Sequence, residues 1–144
     1  MFSTYVFSDS HIHHPLLPEW TYRLDLHGNR TWQQMTNMNR NRCHFGTAVY
    51  QESEIFVFGG RSLHSSTPDT DEVGVYDIAN DSWTVLEDRL GTAYQSTAVA
   101  VGDKAYVATS GLANIEIFNL AEKKKEGTVQ QIPYGEPRIN RDSF

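Results

Sequence analysis

Residues 54–60 read Glu54-Ile55-Phe56-Val57-Phe58-Gly59-Gly60, an apolar run that stops on two glycines. A short run of β-branched and aromatic residues closed by turn formers marks a buried strand. Versions of it return about fifty residues away on either side. Upstream stands Tyr5-Val6-Phe7-Ser8-Asp9 and downstream Tyr106-Val107-Ala108-Thr109-Ser110. A second apolar stretch follows each one, at residues 22–26, 73–78 and 115–120, and the first two lead through an Asn-containing turn to Trp32 and Trp83. Such a period identifies an array of supersecondary units, each burying its apolar faces only against its neighbours.

Working outward, residues 45–50 and 96–101 are also β-branched and aromatic, and the short polar turns 51–53 and 102–103 join them to runs 54–58 and 104–109 as hairpins. Residues 77–82, with Ala79-Asn80-Asp81 at their centre, form a further turn into a strand at 82–86, because Asn and Asp tolerate the backbone shapes of tight reversals. Four meandering strands per repeat make the blade of a β-propeller. No long stretch carries a capped 3.6-residue apolar period, so little helix is expected.

The residues Ile55-Phe56-Val57-Phe58-Gly59-Gly60, then Val75-Tyr76-Asp77, Asn80 and Trp83, resemble the kelch repeat. That family is defined by a double glycine ending one strand, a Tyr in the next and a Trp in the one after, and repeat 40–87 has all of them. The first repeat has Ser8-Asp9 in place of the glycines, followed by Asp25, Asn29 and Trp32. The third has Thr109-Ser110 before Gly111 and keeps Phe118-Asn119, but lacks the Trp, for which Val129 and Ile132 are the nearest apolar substitutes. The resemblance runs over residues 2–133. It implies an all-β chain, an incomplete kelch-type β-propeller of two four-stranded blades plus three strands of another. The expected divisions are a partial blade at 1–35 holding strands two to four, a complete blade at 40–87, a degenerate blade at 92–133 and a tail at 134–144.

Gly59 and Gly60 suit a sharp strand exit, since a residue without Cβ takes positive φ and admits a close backbone. Tyr76, Trp83 and Trp32 are large apolar bodies with one polar tip each, suited to filling the wedge between blades. These five residues are read as architectural.

Composition narrows the function classes. An apolar fraction of 39% with 12% aromatics over 144 residues fits one folded β domain. A net charge of -6 argues against a general nucleic-acid binder. The Lys123-Lys124-Lys125 run is flanked by Glu122 and Glu126 and reads as a solvated turn before the last strand, not as a membrane or nucleic-acid patch. No segment has the length and hydropathy of a membrane span, and residues 1–15 lack the basic start and apolar core of a secretory signal. The single cysteine, Cys43, excludes an internal disulfide framework and agrees with a reducing, cytoplasmic setting.

By strand count, Met1 falls at the second strand of a blade, and residues 137–144 resemble the approach to a first strand at 40–45. Propellers close with four to eight blades. An arc with open edges and uncovered walls is expected to self-associate or to sit within a longer polypeptide.

His11, His13 and His14, with Asp9 nearby, form the densest set of possible metal ligands. Their spacing matches no defined motif, and a polar loop accounts for them equally well. A Cys43 and His44 nucleophilic pair is disfavoured, because adjacent strand residues point to opposite faces. The chain has no nucleophile elbow, phosphate loop or dinucleotide fingerprint, so neither catalysis nor a cofactor is expected. The kelch resemblance instead implies recognition of a protein or peptide by loops at one mouth of the ring, as in ubiquitin-ligase substrate adaptors carrying BTB domains and in actin-binding cytoskeletal scaffolds. In some adaptors an Arg after the double glycine, and another before the next blade's first strand, capture acidic side chains. Arg61 and Arg42 match those positions, and a guanidinium fork suits a carboxylate. Both are equally readable as surface arginines, or Arg42 as paired with an acid such as Glu52. In the third repeat the matching residues are Gly111 and Thr92, neither of them basic. The connection 61–72, rich in Ser, Thr, Pro and Asp, offers His64, Ser65, Ser66 and Thr67 as contacts or as solvent-facing filler. The sequence therefore favours a protein-interaction module without chemistry of its own; the alternative is a propeller-type metalloenzyme built on His11, His13 and His14.

Overall fold

The structure, a computed structural model, describes residues 3–7, 20–61, 70–91, 95–110 and 114–130, the first of these by backbone alone. Its regular elements are strands: β1 (Ser3–Phe7), β2 (Thr21–Asp25), β3 (Trp32–Met35), β4 (Gly46–Tyr50), β5 (Glu54–Phe58), β6 (Glu72–Asp77), β7 (Ser82–Arg89), β8 (Ser96–Val101), β9 (Lys104–Thr109), β10 (Asn114–Asn119) and β11 (Lys124–Gln130). They form three antiparallel meanders, a three-stranded sheet β1-β2-β3 and four-stranded sheets β4-β5-β6-β7 and β8-β9-β10-β11. The all-β fold expected from the repeat is the one observed, with two full blades and three strands of another.

The turns follow from side-chain chemistry. Asp77 accepts the backbone N–H groups of Ala79 and Asn80 at 2.9 and 3.0 Å, and those donors, Asn80 first, hold its carboxyl below the usual carboxylate range. Asp25 does the same with His27 and Gly28 in the first sheet, and Asn119 accepts from Glu122 in the third. Beyond each cap one residue takes positive φ, namely Arg30, Asp81 and Lys123, and the chain re-enters the sheet.

These common turns fix how the blades correspond. Leu24 faces Trp32, Tyr76 faces Trp83 and Phe118 faces Lys125. The place of the missing Trp is thus held by Lys125, not by Val129, which lies exposed near the end of β11. Nor is the lysine run a solvated turn throughout. Only Lys123 lies in the turn, whereas Lys125 is drawn inward to an ion pair with the buried Glu116.

The main core lies between the second and third sheets. Ala48, Phe56, Phe58, Val73, Val75, Leu86 and Leu90 meet Ala105, Val107, Phe118 and Leu120 there. Phe58 and Phe118 cross edge to face at 5.6 Å, and each such side chain stabilises by about 1.5–3 kcal/mol when fully buried. Gly46 lets β4 approach β8, since a Cβ there would come within 2.9 Å of the Thr97 and Ala98 backbone. Between the first and second sheets Met35, Ile55 and the wholly buried Tyr76 pack together with Trp83 against them. The Trp83 indole N–H donates to Thr36 O at 3.0 Å, and Asp81 accepts both the Tyr76 hydroxyl at 2.7 Å and the Thr36 N–H at 2.8 Å.

Trp32 departs from its expected role. It matches Trp83 in register but is 53% exposed, because it sits on the face of the first sheet turned away from the second, where no blade of the described residues lies. Val49 is 55% exposed for a related reason. It points from β4 toward the first sheet, in which β1 pairs like β5 and the described residues offer no inner strand opposite it.

Candidate functional site

The candidate site lies at the end of the second sheet where β5 and β7 finish and β4 and β6 begin. Its geometry starts at the double glycine. Gly59 and Gly60 have φ of 60° and 105°, and a Cβ on Gly60 would stand 2.8 Å from Cys43 O. That close approach lets Arg61 and Cys43 exchange backbone hydrogen bonds, each 2.8 Å long, which fastens the segment entering β4 to the chain leaving β5.

Arg42 is not presented to a partner, contrary to expectation. Its side chain is 3% exposed and turns inward, with Nη1 donating to Gly59 O at 3.2 Å and Glu72 O at 3.1 Å. Nη2 lies 3.5 Å from Glu72 Oε2, so the paired acid is Glu72 and not Glu52. Burial pulls the guanidinium down to about 10 against the attraction of Glu72, which leaves it charged at neutral pH. Gly74 borders the guanidinium, where a Cβ would make ordinary van der Waals contact with Nη2 at 3.7 Å.

Glu72 gathers further cations that sequence reasoning missed. Arg40 Nε lies 3.2 Å from Oε2, and Arg89 Nη1 lies 3.3 Å from Oε1 and 3.8 Å from Asp71. Three guanidinium groups thus meet two carboxylates, and Arg40 and Arg89 keep one side toward solvent. The spacing Arg40-x-Arg42 was a usable signal, since alternate residues of an extended chain share a face.

Cys43 and His44 are brought together, against the expectation of opposite faces. His44 has φ of 56°, which breaks the strand alternation and sets Nδ1 3.2 Å from Cys43 Sγ. Arg61 O lies 3.4 Å from the same Sγ as a second acceptor for the thiol. With Cys43 buried, this arrangement braces the same junction.

The remaining candidates, His64 and Ser65 with Ser66 and Thr67, and the His11, His13, His14 and Asp9 cluster, lie outside the described residues, as do Thr92 and Gly111. Among the described residues no group of three or more His, Cys, Asp or Glu side chains could hold a metal ion.

No protein-family model matches the sequence, and no curated protein matches it. Among solved structures the chain is similar to that of YjhT, a kelch-repeat β-propeller protein, with a TM-score of 0.68 at 13% identity, over 82% of this chain and 47% of the other. The chain therefore spans about half the length of the solved protein it matches. At that identity the likeness concerns the fold alone, and the fold is that of a kelch-type propeller.

Proposed function

We propose that this chain is a protein-interaction segment of a kelch-type propeller, which captures an acidic stretch of a partner at the end of the second sheet. The reading rests on the surplus of guanidinium groups there, where Arg40, Arg42 and Arg89 surround Glu72 and Asp71. Arg61 leaves β5 at the same end and begins the connection that carries His64 and Ser65. Arg42 serves from inside by fixing Glu72, and the half-exposed Arg40, Arg61 and Arg89 meet the partner. Held by Glu72, Arg40 and Arg89 have already lost part of their rotamer freedom, which lowers the cost of ordering them on a ligand carboxylate. Such capture suits a substrate adaptor or a cytoskeletal scaffold.

The test is selection of a random peptide library on the immobilised chain. Enrichment of Asp- and Glu-rich sequences is expected, with binding that weakens as salt rises and falls at least roughly tenfold in Arg61→Ala/Arg89→Ala. Selection of sequences without acidic bias, or acidic peptides bound equally well by that variant, would overturn the reading.

A further inference from the structure

We infer that the partner's acidic residue comes with a basic one beside it, and that Asp71 takes the basic side chain while Arg40 and Arg89 hold the acid. The inference rests on the reading of this sheet end as an acidic-partner site, and it names the charge pattern that the site selects.

The two carboxylates at this end are placed differently. Glu72 is 16% exposed and spends its charge inward, with Arg40 and Arg42 at Oε2 and Arg89 at Oε1. Asp71 is 51% exposed, and its ion pair among the described residues is the long contact to Arg89 at 3.8 Å. The backbone around it is fastened on three sides. Thr70 N–H donates to Gly60 O, Leu90 N–H to Asp71 O and Gly59 N–H to Glu72 O, each at 3.0 Å. Thr70 Oγ1 also accepts the Glu72 N–H at 3.2 Å. Asp71 is therefore an anchored negative charge on the surface, and little of that charge is neutralised.

Arg89 joins the two carboxylates. It faces Glu72 in register across β6 and β7, and its Nη1 lies 3.3 Å from Glu72 Oε1 and 3.8 Å from Asp71 Oδ1. A carboxylate that reaches Arg89 from solvent comes close to Asp71 as well. Two like charges about 5 Å apart at an exposed site repel enough to cost roughly fivefold in affinity. A ligand cation next to that carboxylate turns the repulsion into attraction, because it meets Asp71 across the same gap. Glu72 does not compete for the cation, since three guanidinium groups already surround it. An exposed Arg beside an exposed Asp thus selects an acid beside a base, and disfavours a run of acids alone. In an extended segment residues i and i+2 share a face about 7 Å apart, so the base lies within two positions of the acid.

The experiment repeats the random-peptide selection on the whole immobilised chain and on Asp71→Asn, and reads which residues are enriched around each selected acid. Asp71 is exposed and its backbone contacts are untouched, so the variant keeps the fold, which unfolding by denaturant checks. On the parent, Lys and Arg are expected within two positions of Asp or Glu. On Asp71→Asn the acids stay enriched and the preference for Lys and Arg disappears. A peptide from the parent selection, and the same peptide with its basic residue replaced by glutamine, then complete a double-mutant cycle with Asp71→Asn. Removing the peptide's cation should cost roughly fivefold in affinity on the parent and leave binding to the variant unchanged. A parent selection without acidic bias overturns the acidic-partner reading, and this inference with it. Acidic peptides with no basic companion, or with one that persists on Asp71→Asn, overturn this inference alone. Loss of acids and bases together on a folded Asp71→Asn also overturns it, since Asp71 would then be positioning Arg89.

Discussion

Replacing Arg42 by Met should destabilise the fold, and the size of the loss follows from its contacts. Met keeps much of the side-chain length and apolar stem but removes the donors to Gly59 O at 3.2 Å, Glu72 O at 3.1 Å and Glu72 Oε2 at 3.5 Å. Hydrogen bonds from a charged donor contribute about 1.5–3 kcal/mol each. The full sum does not apply. Glu72 O still accepts the Gly59 N–H at 3.0 Å, and the Glu72 carboxylate keeps Arg40 and Arg89. The variant also escapes the desolvation that now pulls the guanidinium down to about 10. What remains is mainly the loss at Gly59 O and a loosened Glu72, about 2–3 kcal/mol. For a chain of this size that lowers Tm by roughly 5–10 °C. Denaturant titration followed by tryptophan fluorescence measures it, with an unchanged slope showing that the unfolded state is unaffected. Arg40→Ala, which removes a more exposed pair, should cost less than about 1 kcal/mol. An Arg42→Met protein as stable as the parent would refute the interior role and return Arg42 to the surface.

Further outcomes are expected at four other places. Gly60→Val forces a β-branched residue to φ of 105° with its Cβ 2.8 Å from Cys43 O, and should cost about 3 kcal/mol or more. Gly102→Ala, at φ of 62° with nothing near its Cβ, should cost about 1 kcal/mol in the same denaturant titration. Lys125→Met leaves the Glu116 charge buried and should cost about 3 kcal/mol, most of it recovered in Glu116→Gln/Lys125→Met; additive losses in the double-mutant cycle would contradict the pairing. Asp81 is raised by burial but lowered further by the Tyr76 hydroxyl and the Thr36 N–H, so its folded value lies below the ordinary 3.8. Its contribution is complete above 3.8 and is lost as pH falls through the lower folded value, the unfolded state binding more protons in between. Stability measured against pH should accordingly fall less steeply in acid for Asp81→Asn than for the parent.

The strands were legible because two local signals agreed. Runs 54–58, 96–101 and 104–109 are bounded by tight polar turns; burial alternates along the last two, whereas Ile55 to Phe58 are apolar throughout and buried on both faces. What escaped the sequence was tertiary. Trp32 carries the same local pattern as Trp83, and what separates them is that no sheet of the described residues covers Trp32. Lys125 was open to a count along the chain, since it follows Phe118 by the same step as Trp83 follows Tyr76; the register shift between Ile117 and Phe118 lies beyond that pair and displaces only the later residues, Val129 among them. Cys43 and His44 escaped because the alternation rule fails at positive φ. For Arg42 the residue type and position were legible, but not its direction, which depends on acceptors far along the chain at Gly59 O and Glu72.

Gly74 and Glu116 show what the degenerate repeat has done at the matching place in the sheet. Each lies two residues before the aromatic that faces the Trp position, Tyr76 in one sheet and Phe118 in the other. In the second sheet that place borders Arg42, which ties the entering segment to Gly59 and Glu72. In the third sheet the same place holds Glu116, whose Oε1 takes the Gly91 N–H at 2.7 Å and the Lys125 ammonium. Gly91 belongs to the connection entering that sheet, so the mechanical link survives with its polarity reversed: the charge now comes from the sheet and the backbone donor from the connection. Loss of the Trp is part of the same exchange, since Lys125 supplies the cation that keeps Glu116 buried at acceptable cost. Departure from the repeat pattern therefore does not mark a failing blade. It marks one that no longer needs an arginine at its entrance, which leaves the described guanidinium surplus at the second sheet.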